Sequence, residues 1–231
     1  MTKKVIIYGY TILGSKIANL LIDKEHEILI VDYEQSSLLQ AQKDGFKTFQ
    51  STLLNDNDLI EIGIDKDVNA FFCVSYSNKN NLFITFSARN LNKNLKIVTI
   101  SKTKSEAKKL HIAGATKVLN PNEIGAFRIY KYMSKPLMLK VLDEILFSKS
   151  DLNISEIYIE KTSLLKDTYL KDMNMHKDYN ILLLGIMDEE LSDKFIFNTK
   201  RINHKIDEGD VLVVVGKNQD LENFSKFINN R

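Results

Sequence analysis

Six short strand-like runs, all but KTFQ mainly apolar and separated by segments of helical spacing, fill the first half of this chain and leave it few architectures to choose from. The runs are VIIY (5–8), EILIVD (27–32), KTFQ (47–50), NAFFCVS (69–75), KIVTIS (96–101) and KVLN (117–120). Between them, SKIANLLIDK (15–24), SSLLQAQKDG (36–45), NDNDLIEIGI (55–64), NNLFITFSARNL (80–91) and SEAKKLHIAG (105–114) place apolar residues on one face of a helix. Strands that are apolar without alternation are buried on both sides, which requires helices above and below a parallel sheet. The pattern predicts an α/β class: a doubly wound parallel-sheet Rossmann domain.

The pattern changes after Pro121. EIGAFRIYKYMSKPLMLKVLDEILFS (123–148) is largely apolar and helical, with Pro136 set to break it, so two packed helices or one arm reaching a partner is expected. Beyond it, ISEIYIEKTS (154–163) alternates like a half-exposed antiparallel strand. A short helix is expected over TYLKDMNM (168–175), strands over NILLLGIMD (180–188) and KFIFN (194–198), a turn and buried strand over DEGDVLVVVG (207–216), and a helix over NQDLENFSKFI (218–228). The division expected is a Rossmann domain over 1–122, a helical crossover arm over 123–150, and a small α+β domain over 151–231.

Charge narrows the range of partners. Lys and Arg number 32 against 30 Asp and Glu, a net +2 without a concentrated basic face, which argues against nucleic acid. The single cysteine, Cys73, lies in the apolar run AFFCV, as a buried small hydrophobe would, and fits a reducing compartment. The opening apolar run is too short for a signal peptide, and no stretch has the length to span a bilayer. A cytoplasmic chain is expected, at the inner face of a membrane if something else holds it there.

The strongest local motif is Gly9-Tyr10-Thr11-Ile12-Leu13-Gly14, directly after the first strand and opening the first helix. A dinucleotide fingerprint places glycine at the tight turn, where backbone meets pyrophosphate, and where helix packs on strand. The first and third are here; the middle one is Thr11. The helix start still offers free N–H groups to a phosphate. Asp32 closes the second strand about 20 residues on, the place of a carboxylate on a ribose 2′-hydroxyl, and its charge disfavours a 2′-phosphate. A Rossmann sheet with a non-functional pocket would share these features.

Catalytic groups are scarce. His26, His111, His176 and His204 are scattered, without metal-ligand spacing. No GxSxG elbow and no Ser-Tyr-x-x-x-Lys arrangement occurs. Tyr76 and Ser77 follow the fourth run, where such sheets bind ligands, although loop polarity accounts for them equally. Arg128, Lys131 and Lys135 are read as a solvated helix face.

The chain resembles the RCK (KTN, or TrkA-type) proteins, cytosolic regulators of potassium channels and transporters, along essentially its whole length. The likeness rests on VIIYGYTILGSKIANLLIDKEHEILIVDYE, LIEIGIDKDVNAFFCVS, IAGATKVLNPNEIGAFRI and, most specifically, IDEGDVLVVVGKNQDLENF (206–224). It implies pairing through Rossmann lobes and crossover helices, a homodimer or higher homo-oligomer beneath a pore. It also implies NAD(H), ATP or ADP at the glycine turn. Carried over, the site comprises Gly9, Tyr10, Thr11, Ile12, Leu13, Gly14, Asp32, Tyr33, Thr52, Leu53 and Ser75. Departures from the family pattern are Thr11, Ser51-Thr52-Leu53-Leu54 in place of a Gly-Asp-Ala-Thr run, Thr99 in place of a basic residue, and Asn120-Pro121-Asn122 in place of HPE.

The resemblance implies a non-catalytic, nucleotide-sensing regulatory subunit controlling potassium transport through a separate membrane potassium channel or transporter subunit. The initiator methionine and closing helix favour a stand-alone subunit. The alternatives are an NAD-dependent oxidoreductase and a scaffold with an empty pocket.

Overall fold

The computed structural model describes residues 3–22, 26–66, 68–147, 151–188, 195–198 and 204–229, and the chain divides into two compact units, Met1–Ile129 and Tyr130–Arg231. Lys24, Ser148 and Lys194, which end or begin expected segments, lie outside the described residues. The division into units falls within the expected crossover arm.

In the first unit the six runs are strands β1 (Lys3–Tyr8), β2 (His26–Asp32), β3 (Lys47–Gln50), β4 (Ala70–Cys73), β5 (Lys96–Ile100) and β6 (Lys117–Leu119). They pair in parallel in the order β3-β2-β1-β4-β5-β6. Helices α1 (Ile12–Leu21), α2 (Gln35–Lys43), α3 (Asp56–Glu61), α4 (Asn78–Leu91) and α5 (Lys104–Ile112) join them. Strand β1 shows why the runs carry no alternation. Ile6 and Tyr8 enter one core with Leu59, Phe71 and Ile84, while Val5 and Ile7 enter another with Ala18, Ile28 and Val74. Both faces are dry, so the sheet is doubly wound.

Local chemistry sets the helix starts. Asn55, Ser77 and Thr103 each turn a side-chain oxygen onto the backbone N–H three residues on, capping α3, α4 and α5. At the other end of α4, Arg89 donates to the carbonyls of Gly114, Asn92, Lys93 and Leu95 and to the Thr116 hydroxyl, tying two loops together.

Helix α6 (Pro121–Ser134) runs across the division of units, and α7 (Pro136–Phe147) follows. Each opens on proline, which lacks an N–H and is tolerated where a helix begins. The break expected at Pro136 therefore falls between two helices.

The second unit is an antiparallel sheet of β7 (Leu152–Tyr158), β8 (Leu182–Met187), β9 (Phe195–Phe197) and β10 (Val211–Lys217), in the order β7-β10-β8-β9. Helices α8 (Met175–Tyr179) and α9 (Asn218–Ile228) accompany it, and Leu221, Phe224 and Ile228 of α9 enter its core with Ile157, Ile186 and Leu212.

The helix expected over 168–175 is replaced by a 3-10 turn at Leu170–Asp172, with α8 starting at Met175. Tertiary hydrogen bonds decide this. The Leu170 N–H donates to the His204 carbonyl, and Tyr169 bridges Lys205, so those backbone groups are taken by another segment. The Asn174 side chain then accepts from the Lys177 N–H and starts the helix later.

Candidate ligand cleft at the glycine turn

The strand order reverses between β1 and β4, and the crevice beyond the carboxyl ends of such strands is where open α/β sheets bind ligands. Gly9 leaves β1 with φ +97°, and a Cβ there would lie 2.6 Å from the Ser75 Cα. A Cβ on Gly14 would strike the Gly9 carbonyl oxygen. Both glycines are therefore required by the contact of turn, helix and β4, before any ligand is considered.

Thr11 has a different part. It is the N-cap of α1; its Oγ1 accepts from the Gly14 N–H at 3.2 Å and donates to the Val74 carbonyl at 3.3 Å. The hydroxyl that replaces the middle glycine thus satisfies one helix-terminal N–H and clamps the turn to β4. Ile12 N and Leu13 N, in the first turn, have no intrahelical acceptor by helix geometry.

Asp32, buried at the end of β2, joins two strand ends. Its Oδ2 accepts from Tyr10 N at 2.8 Å and its Oδ1 from Glu34 N at 3.0 Å. Each oxygen keeps a further lone pair for a ligand hydroxyl. On the far wall Ser75 donates from Oγ to the Asn81 Oδ1 at 2.7 Å, and Asn81 Nδ2 donates to the Ser75 carbonyl at 2.9 Å, so a buried amide of α4 fixes that loop.

These walls enclose a cleft of about 490 Å³. Of the residues expected at the site, Gly9, Tyr10, Thr11, Ile12, Asp32, Tyr33 and Ser75 line it together. Four do not. Leu13 packs against the core beneath α1, and Gly14 is buried in the helix–turn contact. Leu53 is wholly buried, with φ +51°, held by the Ser51 hydroxyl that its N–H reaches at 2.8 Å; Thr52 is exposed beside it. The Ser51 hydroxyl also donates to the Asp58 carboxylate, so this loop is tied to α3 instead of opening toward the cleft. Thr99 is buried too, its hydroxyl given to the Cys73 carbonyl at 2.8 Å.

Glu34 and Ser37, absent from the expected set, line the cleft, as do Tyr76 and Ser77. Glu34 and Ser37 come from the start of α2, and their position just after Asp32 was the signal available for them. The walls are aromatic, hydroxyl-rich and acidic. Burial first, then the Asp44 carboxylate that accepts from it at 2.6 Å, pushes the Tyr10 phenol up; the Glu34 carboxylate raises that of Tyr33.

A family model, the TrkA-N domain, matches residues 5–121, the span that holds the whole parallel sheet from β1 onward. The chain belongs to the TrkA-N domain family. Two proteins of Methanocaldococcus jannaschii are similar to it, each 27% identical over 225 residues: "Probable potassium channel protein 2", covering 94% of this chain and 64% of the relative, and "Potassium channel protein 1", covering 96% and 66%. The chain thus spans just under two thirds of the length of these relatives. Among solved structures, the human SLO3 gating ring is similar with a TM-score of 0.72 at 11% identity, over 96% of this chain and 46% of that one. The GsuK RCK domain is similar with a TM-score of 0.52 at 16% identity, over 99% and 47%, and a GsuK channel bound to NAD matches equally well over 99% and 39%. These likenesses agree with the Rossmann sheet and small antiparallel domain described above. Among the described residues, no helix is long and apolar enough to cross a membrane.

Proposed function

We propose that this chain is a nucleotide-sensing regulatory module of potassium transport. In this reading an adenine nucleotide, NAD(H) or ATP/ADP, binds at the glycine turn, and its binding free energy biases a potassium-conducting membrane pore without chemistry on the ligand. One observation carries it: Asp32 is held by two backbone N–H groups beside the Gly9 turn, at the crevice of a TrkA-N sheet, with lone pairs left for a ribose. The potassium channel relatives and the NAD-bound channel of the same fold supply the transport context. A ligand can shift a pore only by its difference in affinity for two arrangements of the module.

Such a difference needs a neighbour. Helix α6 has no buried residue, and its Ile129 and Met133 are 70% and 86% exposed; Leu137 on α7 is 77% exposed. Apolar helical surface of this extent fits self-association into a homodimer or higher homo-oligomer, with α6 and α7 as the crossover arm.

Calorimetric titration and thermal shift with NADH, ADP and ATP test the reading. Wild type should gain thermal stability with at least one of them, and Asp32→Ala should weaken that ligand by about 1–3 kcal/mol. A wild-type chain that ignores all three, and AMP and adenosine as well, would refute a nucleotide sensor.

A further inference from the structure

We propose that the cleft selects adenine ribosides by their lack of phosphate charge, taking the nucleoside and monophosphate ahead of ADP, with ATP the weakest. This rests on the nucleotide reading of the same cleft and assigns the ligand class within it.

The first observation is the charge of the walls. The cleft presents the carboxylates of Asp32 and Glu34, and among the described residues that line it none is Lys, Arg or His. Asp32 is not remote from where phosphates would lie, because its Oδ2 is 2.8 Å from Tyr10 N, inside the glycine turn itself. A polyphosphate would bring several negative charges against two already there, with no lining side chain to neutralise them.

The second observation is the supply of donors. A helix start receives phosphate through its unpaired N–H groups. Here Thr11 has withdrawn one of them, since its Oγ1 already accepts from Gly14 N at 3.2 Å, and the proton of that hydroxyl goes to Val74 O at 3.3 Å. The hydroxyl is engaged in both directions and has nothing to give a phosphate. Thr99, placed by sequence where a phosphate-binding base would stand, is buried with its hydroxyl on the Cys73 carbonyl.

The third observation is what the walls do offer. Tyr33 and Tyr76 are exposed aromatic surface for a base, Asp32 accepts from ribose hydroxyls, and Ser37 and Ser77 add hydroxyl partners. These groups suit the uncharged part of a nucleotide.

The test is calorimetric titration of the full chain with adenosine, AMP, ADP and ATP in magnesium-free buffer containing EDTA, at low and at moderate salt. The dissociation constant should rise by about fivefold for each phosphate added, as expected for like charges meeting at a partly solvated site. Added salt should improve ATP binding and leave adenosine unchanged, because screening acts only on the charged ligand. Glu34→Gln should strengthen ATP several-fold, and by clearly more than it changes adenosine. That variant keeps an acceptor for the Tyr33 hydroxyl, and Glu34 makes no side-chain cap to lose. ATP binding as tightly as adenosine would overturn the selectivity and leave the nucleotide reading standing. Equal ATP affinity in wild type and Glu34→Gln would remove Glu34 from the explanation. Failure of all four ligands would instead overturn the nucleotide reading itself.

Discussion

Gly9 and Gly14 illustrate how one motif can report two different things. Both are imposed by packing: Gly9 by its φ of +97° and its approach to Ser75, Gly14 by its contact with the Gly9 carbonyl. The position that reports on a ligand is the middle one, and there Thr11 stands as a helix cap. Gly14→Ala should therefore destabilise the first unit by about 2 kcal/mol or more even without nucleotide, since neither backbone segment can yield cheaply. Urea denaturation of the ligand-free variant measures this, and a wild-type midpoint would mean that the glycine serves only the ligand. The spacing from Gly9 to Asp32 made the turn and the buried carboxylate beside it legible in sequence. Glu34 and Ser37 were not, because they enter the cleft through the angle at which α2 leaves β2. Thr52 and Leu53 were expected there by analogy, yet Ser51 and Asp58 fold that loop onto α3.

At the scale of elements, legibility followed how local the determining forces were. The inner strands β1, β2 and β4 of the first unit could be read because a strand dry on both faces carries an uninterrupted apolar run, whereas the edge strand β3, KTFQ, has no buried residue. The 3-10 turn at Leu170–Asp172 could not, since its backbone partners are His204 and Lys205, more than thirty residues away in sequence. Helix α6 is the element whose sequence and burial disagree most: apolar in composition, yet without a buried side chain. If it is an assembly surface, Met133→Glu and Leu137→Glu should each lower the oligomer mass seen by sedimentation at micromolar concentration, while the melting temperature of the dissociated chain stays near wild type. An unchanged mass in both variants would remove these helices from the interface.

The whole molecule carries its stability in separate cores. The clusters around Tyr8 and Ile7 draw only on the first unit, and that around Phe224 only on the second. Thermal unfolding should therefore show two transitions, and pH should separate them. Burial raises the Tyr8 phenol from 10.0 to about 12 and pushes the Cys73 thiol above its ordinary 9.0. Both groups keep their protons in the folded unit at a pH where the unfolded chain has lost them. The Cys73 contribution begins to fall as pH passes 9 and the Tyr8 contribution as pH passes 10, the latter by about 1.4 kcal/mol per pH unit up to about pH 12. The second unit is pinned differently. His204 lies between two buried carboxylates, with Nε2 at 2.8 Å from Asp210 and Nδ1 at 3.5 Å from Asp188. Replacing it removes one partner from each of those buried carboxylates, so His204→Ala should lower only the second transition, by about 1–3 kcal/mol. Alkaline pH should lower the first transition more than the second, and Cys73→Ala should act on the first transition alone, flattening its decline above pH 9. Calorimetric scans of wild type and both variants at pH 7.5 and about 10.5 decide the matter. A single transition that every change moves together would mean that the two cores unfold as one.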